Sequence, residues 1–157
     1  MNVRNQRIVP EIGRNWRAPK QSKRRWSANE SHPPDKPRRV IIVEHHAFVA
    51  KFFRMALERV GGYSCTVTED APEMLKEIEA AQVDLVLLDV SLTNAQWEGR
   101  LVNGVELCQI LKGKTIRGLP VLLATASFLE ASGTDGCLEK PVYDSTVLVE
   151  KARQLME

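Results

Sequence analysis

The sequence lacks any apolar run long enough to cross a bilayer: stretches such as Leu85-Val86-Leu87-Leu88 fall far short of the ~20 residues a membrane helix needs. Its N-terminus has no apolar leader core either, so a soluble, cytoplasmic protein is expected. Cysteine is scarce. Cys65, Cys108 and Cys137 are odd in number, widely spaced and form no C-x-x-C pair, which argues against a disulfide framework or a zinc ribbon and leaves three core thiols. Repeats and low-complexity tracts are also lacking. At 157 residues with 43% hydrophobic content, the chain supports one packed core, and nothing argues for a second.

A formal net charge of +2 conceals a division between Arg39 and Val40. Residues 1–39 hold 11 Lys/Arg against 3 Asp/Glu, a charge of +8, whereas residues 40–157 hold 11 against 17, a charge of −6. A basic arm therefore precedes an acidic domain. The arm contains Pro10, Pro19, Pro33, Pro34 and Pro37, shows no hydrophobic periodicity, and is expected to be disordered because it cannot offset its ordering entropy. Within it, Trp16 and Trp26 alternate with Arg17, Lys20, Lys23, Arg24 and Arg25. Such a tract can neutralise nucleic-acid phosphates while its rings stack on bases, lie on an anionic membrane, or dock on an acidic protein surface, including its own domain. A solvated tail is the remaining reading.

From Val40 onward, apolar runs alternate with helical patterns, as in βα units around a parallel sheet. Val40 to Val43 forms the first strand. Phe48, Val49, Phe52, Phe53, Ala56, Leu57 and Val60 then recur at helical spacing up to Gly61-Gly62. Tyr63 to Val67 reads as a second strand, and Asp70-x-x-Glu73 with Pro72 as the start of a helix reaching about Ala81. The third strand spans Asp84 to Asp89. A polar loop from Ser91 to Asn103 leads to a helix with Leu107, Cys108 and Leu111 on one face. Strands at Pro120–Ala124 and Cys137–Glu139 follow, and a helix over Asp144–Met156 turns Val147, Leu148, Ala152 and Leu155 inward. The whole is a doubly wound five-stranded α/β domain whose ligands sit at the carboxyl ends of the strands.

Those ends bring together Glu44 and His45, Asp89, Thr125 and Lys140. Taken alone, Asp89 caps a turn, Lys140 pairs with it, and Thr125 closes a turn. In combination, Asp84-Leu85-Val86-Leu87-Leu88-Asp89-Val90-Ser91-Leu92, Asn103-Gly104-Val105-Glu106-Leu107, Leu119-Pro120-Val121-Leu122-Leu123-Ala124-Thr125-Ala126 and Glu139-Lys140-Pro141 occur in order. With these motifs the segment 38–157 resembles the receiver domain of two-component response regulators, of the chemotaxis-regulator type. The resemblance implies the flavodoxin-like strand order 2-1-3-4-5 and a cis Lys140–Pro141 bond. It also implies Asp89 as phosphoacceptor, Lys140 and Thr125 as binders of the phosphoryl group, and magnesium held at Glu44, His45 and Asp89. A histidine kinase or another regulator is the implied partner, and metabolic enzyme activity is not implied.

The chain departs from the family pattern at the first strand end, where Glu44-His45 stands in place of two adjacent acids. Imidazole suits zinc or copper better than magnesium, so the magnesium site is weakened and phosphorylation of Asp89 becomes weak or lost. Glu44, His45 and His46 are all zinc-ligand types, but neighbours on an extended strand project to opposite faces. The other reading makes His46 a surface residue at a helix start. Cys137 replaces the family's usual aromatic switch residue.

By comparison with the family, the connection from Asp89 to Gly104 is about seven residues longer and that from Thr125 to Lys140 about seven shorter, against a median loop of ~4–6 residues. The fourth helix is thus expected to be reduced. In the longer connection Trp97 and Arg100 are candidate interface anchors, the alternative being that Trp97 folds back onto its own loop. The reading that results is an atypical stand-alone receiver acting as a protein-interaction module. A conventional phosphorelay receiver and a nucleic-acid-binding regulator that uses Lys23, Arg24, Arg25 and Trp26 are the alternatives.

Overall fold

Each central strand carries apolar residues on both faces, so the chain can bury a sheet only by covering it from both sides. The computed structural model describes residues 36–80, 83–115, 118–126, 134–142 and 144–157. The arm at 1–35, with Lys23, Arg24, Arg25 and Trp26, lies outside them. In chain order the elements are β1 (Arg39–Val43), α1 (Ala47–Met55), β2 (Ser64–Thr68), α2 (Ala71–Ala80) and β3 (Leu85–Asp89). These are followed by β4 (Gln96–Trp97), β5 (Arg100–Leu101), α3 (Gly104–Ile110), β6 (Val121–Thr125), β7 (Gly136–Glu139) and α4 (Ser145–Met156). Five strands form one parallel sheet of order β2-β1-β3-β6-β7, which is the expected 2-1-3-4-5 once the β4–β5 hairpin is set aside.

The alternation of side chains along a strand divides the core into two layers. Ile41, Val43, Val86, Leu88, Val121 and Leu123 pack with Met74 and Ile78 of α2 and Leu107 of α3. Their neighbours Val40, Ile42, Leu85, Leu87, Leu122 and Ala124 pack with Phe53 of α1 and with Leu148 and Ala152 of α4. The three cysteines are free thiols, Cys108 buried and the others half-buried. Burial pushes the Cys65 thiol up to about 12 and that of Cys108 to about 11, as suits unreactive core thiols.

Several expectations change on contact with the fold. Phe48 is 77% exposed although helical spacing groups it with inward residues. It lies seven residues, or about two turns, from exposed Met55 on the outer face of α1. α1 continues into a π-helical turn at Ala56–Val60, whose wider step leaves Val60 exposed, and Val147 likewise faces outward on α4. At the start of α2, Glu73 accepts a hydrogen bond from the Thr68 hydroxyl, while Thr68 Oγ1 accepts the Asp70 N–H at 3.1 Å.

The polar loop after β3 contains a hairpin. β4 and β5 are antiparallel, and Glu98 and Gly99 turn between them with φ of 48° and 80°, as a tight two-residue connection requires. Trp97 is 7% exposed and packs in the same cluster as Met74 and Ile78, so it is a core residue and not the surface anchor its type suggests. Its ring is large enough to close the apolar edge beside α2. Among the described residues, Trp97 Nε1 is the one buried side-chain nitrogen or oxygen without a hydrogen-bond partner. Arg100 lies 3.7 Å from Glu106 of α3, engaged within the domain. The expected reduction of the fourth helix concerns residues 127–133, outside the described residues.

Candidate functional site at the carboxyl edge of the sheet

The parallel register delivers Glu44, Asp89, Thr125 and Lys140 to one edge, because each follows or ends a strand of the same sheet. Glu44 leaves β1 with its N–H donating to the Thr68 carbonyl at 3.3 Å, and the chain then bends at His45. The His46 N–H donates back to Glu44 Oε1 at 3.0 Å, which turns the carboxylate toward β3. His46 itself is an exposed helix N-cap residue whose side chain makes no cap bond. The bend lets the neighbours Glu44 and His45 converge, as the grouping at the strand ends expects.

Asp89 closes β3, and its side chain is only 1% exposed, as is that of Glu44. Lys140 Nζ donates to Glu44 Oε2 and to Asp89 Oδ1, both at 2.9 Å. The Ser91 N–H adds a bond to Asp89 Oδ1 at 3.1 Å. On the other side, His45 Nδ1 stands 3.0 Å from Asp89 Oδ2 and 3.5 Å from Glu44 Oε1. The Lys140–Pro141 bond is cis, and the Lys140 N–H donates to the Thr125 carbonyl at 2.6 Å. Thr125 is buried at the end of β6, one residue beyond the register partner of Asp89.

Burial alone would push the Asp89 carboxyl up. The Lys140 hydrogen bond, the Ser91 N–H and the lysine charge outweigh it and hold the group below the ordinary carboxylate value. For Lys140, burial pulls downward, and the bonds and charges of Asp89 and Glu44 win, leaving the ammonium more firmly protonated. The two carboxylates and one ammonium leave a formal charge of −1.

Two contributors have no side-chain signature: the backbone N–H groups of Ser91 and His46. A third was readable. Asn103-x-x-Glu106 is a capping box, with Asn103 Oδ1 accepting the Glu106 N–H at 2.9 Å and Glu106 Oε2 accepting the Asn103 N–H at 3.0 Å. It starts α3 directly behind Asp89, where Gly104 donates its N–H to the Val90 carbonyl at 3.1 Å.

Two buried acids and a lysine joined at the carboxyl edge of such a doubly wound sheet put the chain in the class of α/β signalling modules. The family described as response regulator receiver domain matches residues 40–153, and the chain belongs to that family, a non-catalytic component of two-component signalling. The chain is similar to the CAI-1 autoinducer sensor kinase/phosphatase CqsS of Vibrio cholerae, 26% identical over 123 residues covering 73% of this chain and 17% of that protein. The sensory transduction protein RegX3 of Mycobacterium tuberculosis is 29% identical over 124 residues, 74% of this chain and 50% of the relative. This chain therefore spans half or less of the length of these curated relatives. A receiver domain protein (CheY-like) from Methanospirillum hungatei matches with a TM-score of 0.61 and 25% identity, over 77% of this chain and 94% of that structure.

Receiver domains bind magnesium, and among the described residues Glu44, His45 and Asp89 form a group whose ligand atoms could hold a metal ion. The donor set fits it poorly. Magnesium requires near-octahedral oxygen coordination, and here one of the three side-chain donors is an imidazole nitrogen. No helix among the described residues is long and apolar enough to cross a membrane.

Proposed function

We propose that this chain is an atypical receiver in which phosphorylation of Asp89 is weak or lost, and which acts in the cytoplasm as a protein-interaction module of signal transduction. The observation that carries this reading is the His45 Nδ1 contact at 3.0 Å to Asp89 Oδ2. It places a nitrogen donor where a hard cation calls for oxygen, and it engages the carboxylate oxygen that Lys140 and Ser91 leave available. With a local formal charge of −1, the pull on magnesium is also smaller than the −2 that a second acid would give. The partner fitting a receiver is a histidine kinase or another regulator.

The alternative is a conventional phosphorelay receiver, favoured by the Lys140 bond to Asp89. A magnesium titration followed by acetyl phosphate labelling separates the two. Wild type is expected to bind magnesium and take label at least about tenfold less well than His45→Asp, with Asp89→Asn unlabelled. Equal labelling of wild type and His45→Asp replaces the proposal with the conventional reading.

A further inference from the structure

The geometry points to a second identity for the same cluster: Glu44, His45 and Asp89 form a site for a borderline divalent transition ion, such as zinc or cobalt, in place of magnesium. This inference rests on the reading that the magnesium site is compromised, and it says what the replaced donor is suited to hold. The two carboxylates divide their oxygens between two flanks. Lys140 occupies Glu44 Oε2 and Asp89 Oδ1. Glu44 Oε1 and Asp89 Oδ2 face the other way, toward His45 Nδ1 at 3.5 and 3.0 Å. One ligand atom from each of the three residues lies within 4.8 Å of the other two.

The two His45 separations suit a small ion. Ligands bound tetrahedrally at roughly 2.0–2.1 Å stand about 3.3 Å from one another, close to the two His45 distances. An ion can therefore enter on the histidine flank while Lys140 keeps its own two oxygens. Glu44 Oε1 also accepts the His46 N–H at 3.0 Å, which fixes the carboxylate and leaves a lone pair for the ion. The pattern of three protein ligands, two oxygen and one nitrogen, leaves a fourth position for water. His45 is 31% exposed, against 1% for the two acids, so the ion's approach is past the imidazole.

The choice of metal follows from the donors. Magnesium is held mainly by charge and oxygen, and this flank offers neither a third oxygen nor a strongly negative field. Zinc and cobalt gain from the nitrogen bond itself, and rank above the harder ions at any mixed nitrogen and oxygen site. Proton balance is simple. The ion takes the lone pair on Nδ1; the proton there moves to Nε2 in the neutral ring or is released to solvent from the charged ring.

The test titrates the full-length, chelator-stripped chain with cobalt alone, read by its visible absorption, and with zinc or magnesium alone, read by calorimetry. Wild type is expected to prefer zinc and cobalt over magnesium. His45→Asp should weaken zinc and cobalt by at least about tenfold, the effect typical even of lost outer-sphere groups, and strengthen magnesium. Asp89→Asn should weaken every ion, and His46→Ala none. Magnesium binding as tight as zinc in wild type overturns the inference, which needs no variant to fold. Zinc binding that survives both His45→Asp and Asp89→Asn places the ion elsewhere and overturns it too. Labelling by acetyl phosphate is scored separately, so failure of the metal preference and failure of the weak-phosphorylation reading are told apart.

Discussion

The two flanks of Asp89 are built by strands that leave the sheet on either side of it, and they differ in chemistry while sharing one scaffold. The β7 end brings Lys140 to Asp89 Oδ1 and Glu44 Oε2, next to a cis proline. The β1 end brings His45 to Asp89 Oδ2. The scaffold is indifferent to that difference, because β1 and β3 are positioned by apolar residues of the buried core such as Ile42 and Leu87. A strand end can thus exchange an acid for an imidazole and keep the fold. What the exchange alters is the kind of cation the carboxylates will hold.

The largest test of the comparison is Lys140→Ala. It removes the ammonium from two carboxylates whose side chains are 1% exposed and is expected to cost about 3–5 kcal/mol of stability, the range for a buried pair that loses one partner. Urea unfolding in chelator measures it. A loss below about 1 kcal/mol would mean that the lysine flank is not what holds the acids together.

Next comes Gly104→Ala, which tests the wall behind both flanks. A Cβ at Gly104 would stand 2.0 Å from the Asp89 carbonyl oxygen and 2.8 Å from the Val90 Cα, both backbone atoms that no rotamer change can move. The chain must shift, and the expected cost is about 3 kcal/mol, at the upper end for overpacking. Chemical shifts at Asp89 and Ser91 should move with it. An unperturbed Asp89 in a stable variant would show that α3 does not fix the acid's position.

The sheet and the lysine flank were legible because they depend on long-period features. Runs such as Val86-Leu87-Leu88 suit only buried strands, and the order of the four motifs carried the pairing of Asp89 with Lys140. The histidine flank was only half legible. Alternation along a strand predicts that Glu44 and His45 diverge, and the single bend that makes them converge depends on a backbone bond from His46, which has no residue code. The hairpin at Gln96–Leu101 escaped for a related reason. Two residues per strand give no periodicity, and Glu98-Gly99 is a weaker turn signal than Asn-Gly. With the hairpin unseen, Trp97 had no visible core to join. Asn103-x-x-Glu106 was open to reading as a capping box, but served only as part of a family motif.

The smallest expected effect is that of His45→Ala on stability, and it is the sharpest measure of how unlike the two flanks are. The imidazole bonds Asp89 Oδ2 at 3.0 Å, yet it is 31% exposed, so water can take its place at the carboxylate. Asp89 keeps Lys140 and the Ser91 N–H on its other oxygen, which already hold it ionised. The expected cost is therefore about 0.5 kcal/mol, in the range of partly exposed pairs and several-fold below that of Lys140→Ala. The same urea unfolding in chelator, run on both variants, gives the ratio directly. If the two losses are equal, His45 is a structural cation matched to Lys140. If the His45 loss is small in chelator but wild type gains stability over His45→Ala when zinc is added, the imidazole serves the ion and not the fold, since a ligand bound only by the native state stabilises it by mass action.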